Sequence, residues 1–358
     1  MTRQPKLPMN NSPTNLPQPI LQSSRDARPK RALICGISGQ DGAYLAAWLL
    51  EQGYQVFGSS RDATMANRRG LASLGIADRI GWVSMVPNDF RSVLQALNKS
   101  EPDEVYNLAG QTSVGLSFEQ PVEAIESIAT GTLNLLEALR FLGRPVRLYN
   151  AGSSECFGDT GQQSASEATP FRPRSPYAVA KVCAHNLVNN YREAYQLFAC
   201  TGILFNHESP LRPERFVTQK IVQAACRIAA GSGELLSLGN TDIHRDWGWA
   251  PDYVRAMWLM LQAEQPVDYV IATGRTVSLG YFVEQAFAYF GLDSQAHVRT
   301  QAGLFRPSDV AYGAADPSLA ASGLGWQASF SVDDVIKAMC QAAQQAGGTH
   351  RTATPTSS

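Results

Sequence analysis

Residues 31–50 read RALICGISGQDGAYLAAWLL, and this stretch narrows the folds open to the chain more than any other. A short, mostly apolar run ends at Cys35. Glycines follow at 36, 39 and 42, and an apolar helical stripe then runs to residue 51. A strand that turns into a helix through three glycines is the opening of a parallel βαβ unit. Glycine has no Cβ, so the turn can be tight and a bound group can lie against the backbone. The helix start adds N–H groups without helical partners and a partial positive charge. Gly36, Gly39 and Gly42, with Gln40 and Asp41 between them, therefore mark a candidate site for the diphosphate of a dinucleotide.

The first two hundred residues keep this rhythm. Apolar bursts at 31–35, 55–58, 82–86, 104–108, 147–150 and 199–204 read as strands, with helical patterns between them, notably at 43–51, 132–141 and 177–194. The order predicts an α/β fold, a doubly wound parallel sheet of Rossmann type. Beyond about residue 206 the pattern loosens, with more Gly, Pro, Arg and Trp, while helices recur at 217–230, 251–263, 280–290 and 331–345. The expected division is a dinucleotide-binding domain over 30–205 and a smaller, mainly substrate-binding C-terminal domain over 206–345, some of whose segments return to the first. Such a domain covers the carboxyl edge of the sheet, where open α/β sheets bind ligands. Residues 1–29, rich in Pro, Asn, Gln and Ser, read as a disordered leader, and 346–358 as a flexible tail.

Charge and cysteine usage exclude whole classes. Thirty basic and 31 acidic side chains leave a net charge of −1, which gives no case for nucleic acid or an anionic membrane. Anion binding must then be local. No apolar run approaches the ~20 residues needed to span a bilayer. The six cysteines show no CxxC and no metal-ligand spacing with histidine. A cytoplasmic protein with reduced thiols and no metal is the expectation.

The second strand ends VFGSSRD, with Arg61 ahead of Asp62. An acidic residue there suits a free ribose 2′-hydroxyl and an arginine suits a 2′-phosphate, so Arg61 points to NADP rather than NAD. Asp89 and Phe90, in PNDF after the third strand, fall at the adenine end, where Asp89 can accept from the adenine amino group or cap a helix. LAGQTS ends the fourth strand with small residues that leave a cofactor room, and supplies Leu108, Ala109 and Gln111 for the cofactor and Ser113 for the substrate.

SPYAVAK, residues 175–181, combines a natural N-cap, a proline suited to the first helical position, and Tyr177 and Lys181 one turn apart on one face. A free tyrosine, with a pKa of about 10, is a poor base at neutral pH. A nearby ammonium and a cationic nicotinamide would lower that value and make a phenolate able to take a proton from a sugar hydroxyl. NAGSSECFG follows the fifth strand and puts Ser153, a hydroxyl able to bond the same substrate oxygen, at a carboxyl end. Serine, tyrosine and lysine in this order resemble the short-chain dehydrogenase/reductases, in their extended, sugar-nucleotide branch. Glu155, two residues past Ser153, adds a carboxylate that an enzyme removing water needs, to take one proton and return one to a leaving hydroxyl.

GSSECFG, PFRPRSPYAVAK, GILFNHESPLRPERFVTQKI, LGNTDIHRDWGWAPDYVRAMWLMLQ, YVIATG and FRPSDV together resemble the GDP-mannose 4,6-dehydratase family, over about residues 31–340. The resemblance implies NADP-dependent oxidation at C4, loss of water across C5 and C6, and hydride return to C6, giving GDP-4-keto-6-deoxy-D-mannose. It implies that His207 and Arg212 hold cofactor, that Asn206, Lys220, Arg245 and Arg306 hold the GDP part, and that the chain forms a homodimer or homotetramer. Three departures stand out. Ser153 replaces the family's usual threonine. Arg61–Asp62 replaces paired arginines that help bind cofactor and join subunits, with Arg68 and Arg69 close by. LRPERF replaces a glycine-containing loop. The competing readings are a dehydratase, epimerase or reductase acting on another nucleotide sugar, and a silent NADP-binding subunit.

Overall fold

Ala32 and Ile34 of strand β1 (Arg31–Cys35) enter one hydrophobic core, Leu33 and Cys35 enter another, and all four are fully buried. A strand buried on both faces needs helices on both faces. On one side lie Leu45 and Leu49 of the Gln40–Glu51 helix and Met257 and Leu261 of the Ala250–Gln262 helix. On the other lie Val93 and Leu97 of Phe90–Ser100, Leu135 and Leu139 of Gly131–Leu142, and Val188 of Pro176–Tyr195. Each such fully buried Leu or Ile stabilises the fold by roughly 2 kcal/mol.

The computed structural model describes residues 28–161, 163–304 and 308–349. After β1 come β2 (Gln55–Ser60), β3 (Gly81–Ser84), β4 (Glu104–Asn107), β5 (Arg147–Ala151) and β6 (Ala199–Leu204). Six further elements follow, all but β9 three residues long: β7 (Asn206–Glu208), β8 (Leu236–Leu238), β9 (His244–Trp249), β10 (Tyr269–Ile271), β11 (Thr276–Ser278) and β12 (Val298–Thr300). The large sheet has seven parallel strands in the order β10-β6-β5-β4-β1-β2-β3. Strand order reverses between β1 and β4, so the crevice that binds ligands opens at their carboxyl ends. Cys35, the last residue of β1, stands opposite Ser59 of β2 and Asn107 of β4. Asn107 Nδ2 donates to Thr132 Oγ1 and to Asn150 Oδ1, each at 3.1 Å, and so braces the ends of β4 and β5 beneath the crevice.

A second layer covers that edge. β7 and β11 flank β9 in a three-stranded sheet, and β8 pairs with β12. Its core is built from Ile221, Val222, Leu236, Phe282, Ile336 and Met339. β10 leaves this layer and pairs with β6 of the large sheet, Tyr269 opposite Gly202.

The doubly wound parallel sheet is as the sequence predicts, with changes at the edges. The helix expected from residue 43 begins at Gln40, because Gly39 already occupies the cap position. The strand expected at 82–86 is Gly81–Ser84, and Leu108 lies just past β4. Arg28 and Lys30 are already engaged, Arg28 with Asp103 at 2.8 Å and Lys30 with buried Glu104 at 3.0 Å. Most of the residues read as leader and tail, with Arg306, lie outside the described residues. Among the described residues no helix is long and apolar enough to cross a membrane.

Candidate active site

The glycine turn leaves no room for side chains. Gly36 has φ +87°, and a Cβ on it would meet the Leu108 carbonyl oxygen at 2.8 Å. A Cβ on Gly42 would meet the Gly36 oxygen at 2.5 Å. The turn thus packs backbone to backbone against the end of β4, at the reversal point of the sheet.

The helix that carries Tyr177 starts as its sequence dictates. Ser175 Oγ accepts the Ala178 N–H at 3.1 Å, and Pro176 fills the first turn. Tyr177 and Lys181 then descend into the molecule, 8% and 5% exposed. Lys181 Nζ donates to the carbonyl of Ala151, the last residue of β5, at 2.7 Å and lies 5.9 Å from the Tyr177 ring centroid. Ser153 caps the Ser154–Phe157 turn by accepting the Glu155 N–H at 3.3 Å, which swings half-buried Glu155 towards the same space. Ser153, Glu155, Tyr177 and Lys181 all line one cavity of about 460 Å³.

The protein by itself shifts both Tyr177 and Lys181 through burial. Burial pushes the Tyr177 phenol above its ordinary value, and the neighbouring Ser153 hydroxyl only partly opposes the rise. Burial also pushes the Lys181 ammonium down, to about 8. The expected lowering of the phenol needs the cationic nicotinamide beside it as well as the Lys181 ammonium.

Asp41, Leu108, Ser113, Asn206, His207, Arg212, Lys220 and Arg245 line the same cavity. His207 is buried, and both ring nitrogens face oxygens, the Phe205 carbonyl at 2.7 Å and the Asp41 carboxylate at 2.9 Å. That arrangement suits a doubly protonated ring. Burial is the largest single influence and lowers its pKa, but the Asp41 charge together with the hydrogen bonds to Asp41 and the Phe205 carbonyl leaves it raised. Arg212 sits 3.2 Å from Glu208 and 3.8 Å from the Phe216 ring centroid. Lys220 Nζ donates to the Ser237 carbonyl at 2.7 Å. Arg245 donates to the His244 carbonyl at 2.9 Å and pairs with Asp309 at 3.3 Å.

Other candidates stand apart from this cavity. Gly36, Gly39, Gln40, Gly42, Ala109 and Gln111 belong to the turn and the strand end behind it. Gln111 Oε1 is buried without a hydrogen-bond partner. Arg61 is exposed beyond β2, and the Asp62 carboxylate turns into its own loop, accepting from Thr64 N at 2.8 Å and Thr64 Oγ1 at 2.7 Å. Asp89 caps the Phe90–Ser100 helix by accepting from Arg91 N at 3.0 Å, and Phe90 is exposed. The cavity also contains Thr112, Glu208, Arg215, Thr218 and Asp309, which the sequence did not single out. Glu208 and Arg215 lie inside the NHESPLRPERF run, so their neighbourhood was legible even though their roles were not.

A family model described as GDP-mannose 4,6 dehydratase matches residues 33–339. GDP-mannose 4,6 dehydratase 1 of Arabidopsis thaliana is 46% identical over 320 residues, 87% of this chain and 88% of that protein. The chain belongs to the GDP-mannose 4,6-dehydratase family. The GDP-mannose 4,6-dehydratase of Vibrio cholerae is 41% identical over 344 residues, covering 87% of this chain and 92% of the other. Among solved structures, a dTDP-glucose 4,6-dehydratase from Streptomyces venezuelae with NAD bound aligns with TM-score 0.79 at 22% identity, over 89% of this chain and 98% of that one. A Thermus thermophilus UDP-glucose 4-epimerase with NAD aligns with TM-score 0.77 at 23% identity, over 90% and 100%. At these identities the two structures speak for the fold.

Proposed function

We infer that this protein is a hydro-lyase that converts GDP-D-mannose to GDP-4-keto-6-deoxy-D-mannose. The observation that carries this is the meeting of Ser153, Glu155, Tyr177 and Lys181 in one cavity whose far wall is basic, in a chain of this family.

The turn fits a nicotinamide dinucleotide. Gly36 holds its backbone against Leu108 where a Cβ would collide, and the Gln40–Glu51 helix starts directly behind. Gly36, Gly39 and Gly42 would cradle the diphosphate, with Leu108, Ala109 and Gln111 beside it and Asp89 and Phe90 at the adenine end. Arg61, with its neighbour Asp62 tied to Thr64, supports NADP over NAD. When bound, the cofactor would accept a hydride from C4 of the sugar and give it back at C6.

Tyr177 takes the proton of the C4 hydroxyl, while Ser153 donates a hydrogen bond to that oxygen. Lys181, fixed on Ala151, provides positive charge beneath the phenol. Glu155 removes the C5 proton, which the adjacent ketone makes acidic, and returns a proton to the departing C6 hydroxyl. Lys220 and Arg245, with Asn206 and Ser113, bind the nucleotide diphosphate and ribose, since guanidinium and ammonium groups suit those oxygens, and Arg212 serves the cofactor. Residues 30–205 hold mainly cofactor and 206–345 mainly substrate. A cytoplasmic homodimer or homotetramer is part of the proposal, and sedimentation velocity measures its assembly.

The test is product analysis with GDP-mannose labelled with deuterium at C4 and a catalytic amount of NADP+. Label recovered at C6 of a 4-keto-6-deoxy product supports the reading. Conversion of UDP-, dTDP- or CDP-glucose in place of GDP-mannose refutes the substrate, and no turnover with any of them refutes the enzyme.

A further inference from the structure

Asp41 poses a problem for the glycine turn. It lies in the first turn of the Gln40–Glu51 helix and lines the cavity, where an anion is to be bound. A carboxylate there competes with a diphosphate for the same partial positive charge. We propose that His207 is the counter-ion of Asp41, present as imidazolium, and that it cancels this carboxylate so that the turn accepts an anionic dinucleotide. The inference rests on the dinucleotide reading given above, and it gives the His207 imidazole a positioning role.

The local geometry leaves His207 little other use. Nε2 faces Asp41 Oδ2 at 2.9 Å, and Nδ1 faces the Phe205 carbonyl at 2.7 Å. The ring stacks on Tyr253 with centroids 4.5 Å apart and planes at 25°. Gln40 locks the pair from above. Its Nε2 donates to Asp41 Oδ1 at 3.0 Å and to the His207 carbonyl at 3.1 Å, and its Oε1 accepts from Ser209 Oγ at 2.7 Å. To reach a ligand, the imidazole would have to give up both ring hydrogen bonds. The same bridge ties the cofactor turn to β7, the first strand of the covering layer.

Other charges face the pair from each neighbouring element. Arg212, from the loop after β7, lowers both Asp41 and His207. Lys181, from the Pro176–Tyr195 helix, feels Asp41 at longer range. Glu208, next to His207 on β7, is occupied by Thr218 and Arg212. Tyr253 offers a neutral phenol, held well above its ordinary value by burial. His207 is therefore the cation in direct contact with Asp41, and losing its proton leaves a buried carboxylate at the turn.

The signs follow from the two shifts. Asp41 is held below its ordinary value and His207 above its own. The pair is intact between those limits, breaks as pH falls through the depressed Asp41 value, and breaks as pH rises through the raised His207 value. Cofactor affinity should weaken at the alkaline limit.

Isothermal titration of the full chain with NADP+ tests the proposal. His207→Gln keeps a donor for Asp41 but removes the charge, and should raise Kd about tenfold. The double variant Asp41→Asn with His207→Gln removes both charges and should return Kd to within about threefold of the starting protein. Equal losses in the single and double variants overturn the counter-ion role. A second measurement does not depend on variants folding. In ligand-free protein labelled with 15N-histidine, which has five histidines, the His207 ring should carry protons on both nitrogens at pH 7. A neutral ring overturns the proposal. If the unaltered chain binds no nicotinamide dinucleotide, the cofactor reading itself fails and this inference falls with it. If it binds and the double variant shows no recovery, only the inference fails.

Discussion

Lys181 and Lys220 line the same cavity and each donates to a backbone carbonyl at 2.7 Å, yet they belong to different worlds. Lys181 stands on a twenty-residue helix beneath Tyr177, 5% exposed, with its ammonium pushed down to about 8 by burial. Lys220 stands on the Val217–Ala229 helix of the covering layer, partly open to solvent, holding the carbonyl of Ser237 in β8. The Lys181 corner is dry, so protonation states there respond to what surrounds them, and the Lys220 wall is wetter. Under the proposed function the first would move protons and the second would hold phosphate.

The sharpest test of this contrast is Tyr177→Phe, which removes the proton acceptor but keeps the ring. It should lower kcat roughly 10³-fold while leaving substrate affinity nearly unchanged. Equal turnover would end the assignment. Glu155→Gln should lower product formation roughly 10²-fold. A single-turnover assay on that variant should still show NADPH appearing, because oxidation at C4 precedes elimination. On the opposite wall, Lys220→Ala should raise KM for GDP-mannose roughly tenfold with kcat held within about threefold, since a charge-assisted contact made equally in ground and transition states affects binding alone. A kcat loss as large as that of Glu155→Gln would erase the distinction between the two walls.

Smaller effects sharpen the comparison. Arg61→Ser should reduce the preference for NADP over NAD about fivefold, measured as the ratio of kcat/KM values. Lys181→Met should change stability in a pH-dependent way. With a folded value of about 8 against 10.5 for a free lysine, the unfolded chain holds more protons across that interval. Stability of the original protein therefore rises with pH through the interval, and the variant lacks that rise. The differential shift in Tm should be about 2–4 °C, read by scanning calorimetry from pH 7.5 to 10.

Legibility follows the same division. β1 to β6 were readable because the burial pattern of strands covered on both faces appears as compact apolar runs. β7, β8, β10, β11 and β12 are three residues long, too short for any periodicity to register. β9 reads HRDWGW and buries Arg245 and Asp246, which a hydropathy reading puts outside. Asp246 is inside because its carboxylate accepts from Thr273 N, Thr273 Oγ1 and Gly274 N, at 3.0, 2.9 and 2.7 Å, and burial still lifts it to about 6. The residues proposed as catalytic were legible for a local reason. Ser153 and Glu155 share one turn, Tyr177 and Lys181 share one helix face, and each pair follows or joins a readable strand. Arg215, Thr218 and Asp309 reach the cavity only through tertiary folding, and no spacing announces that. The phenol's upward shift escaped the sequence for the same reason, since spacing reports proximity and says nothing of dehydration.

The return of β10 to the large sheet limits how this architecture can be altered. Its three residues hydrogen-bond along β6, whose other side is held by β5, so the segment that follows much of the covering layer is also the rim of the first. A chain cut at residue 205 would leave that rim bare and adhesive. Anyone grafting a different sugar-recognition cap onto this scaffold has to splice before Asn206 and also keep the Ala250–Gln262 helix and Tyr269–Ile271 with the base. For the same reason the cap should melt together with its base in one transition.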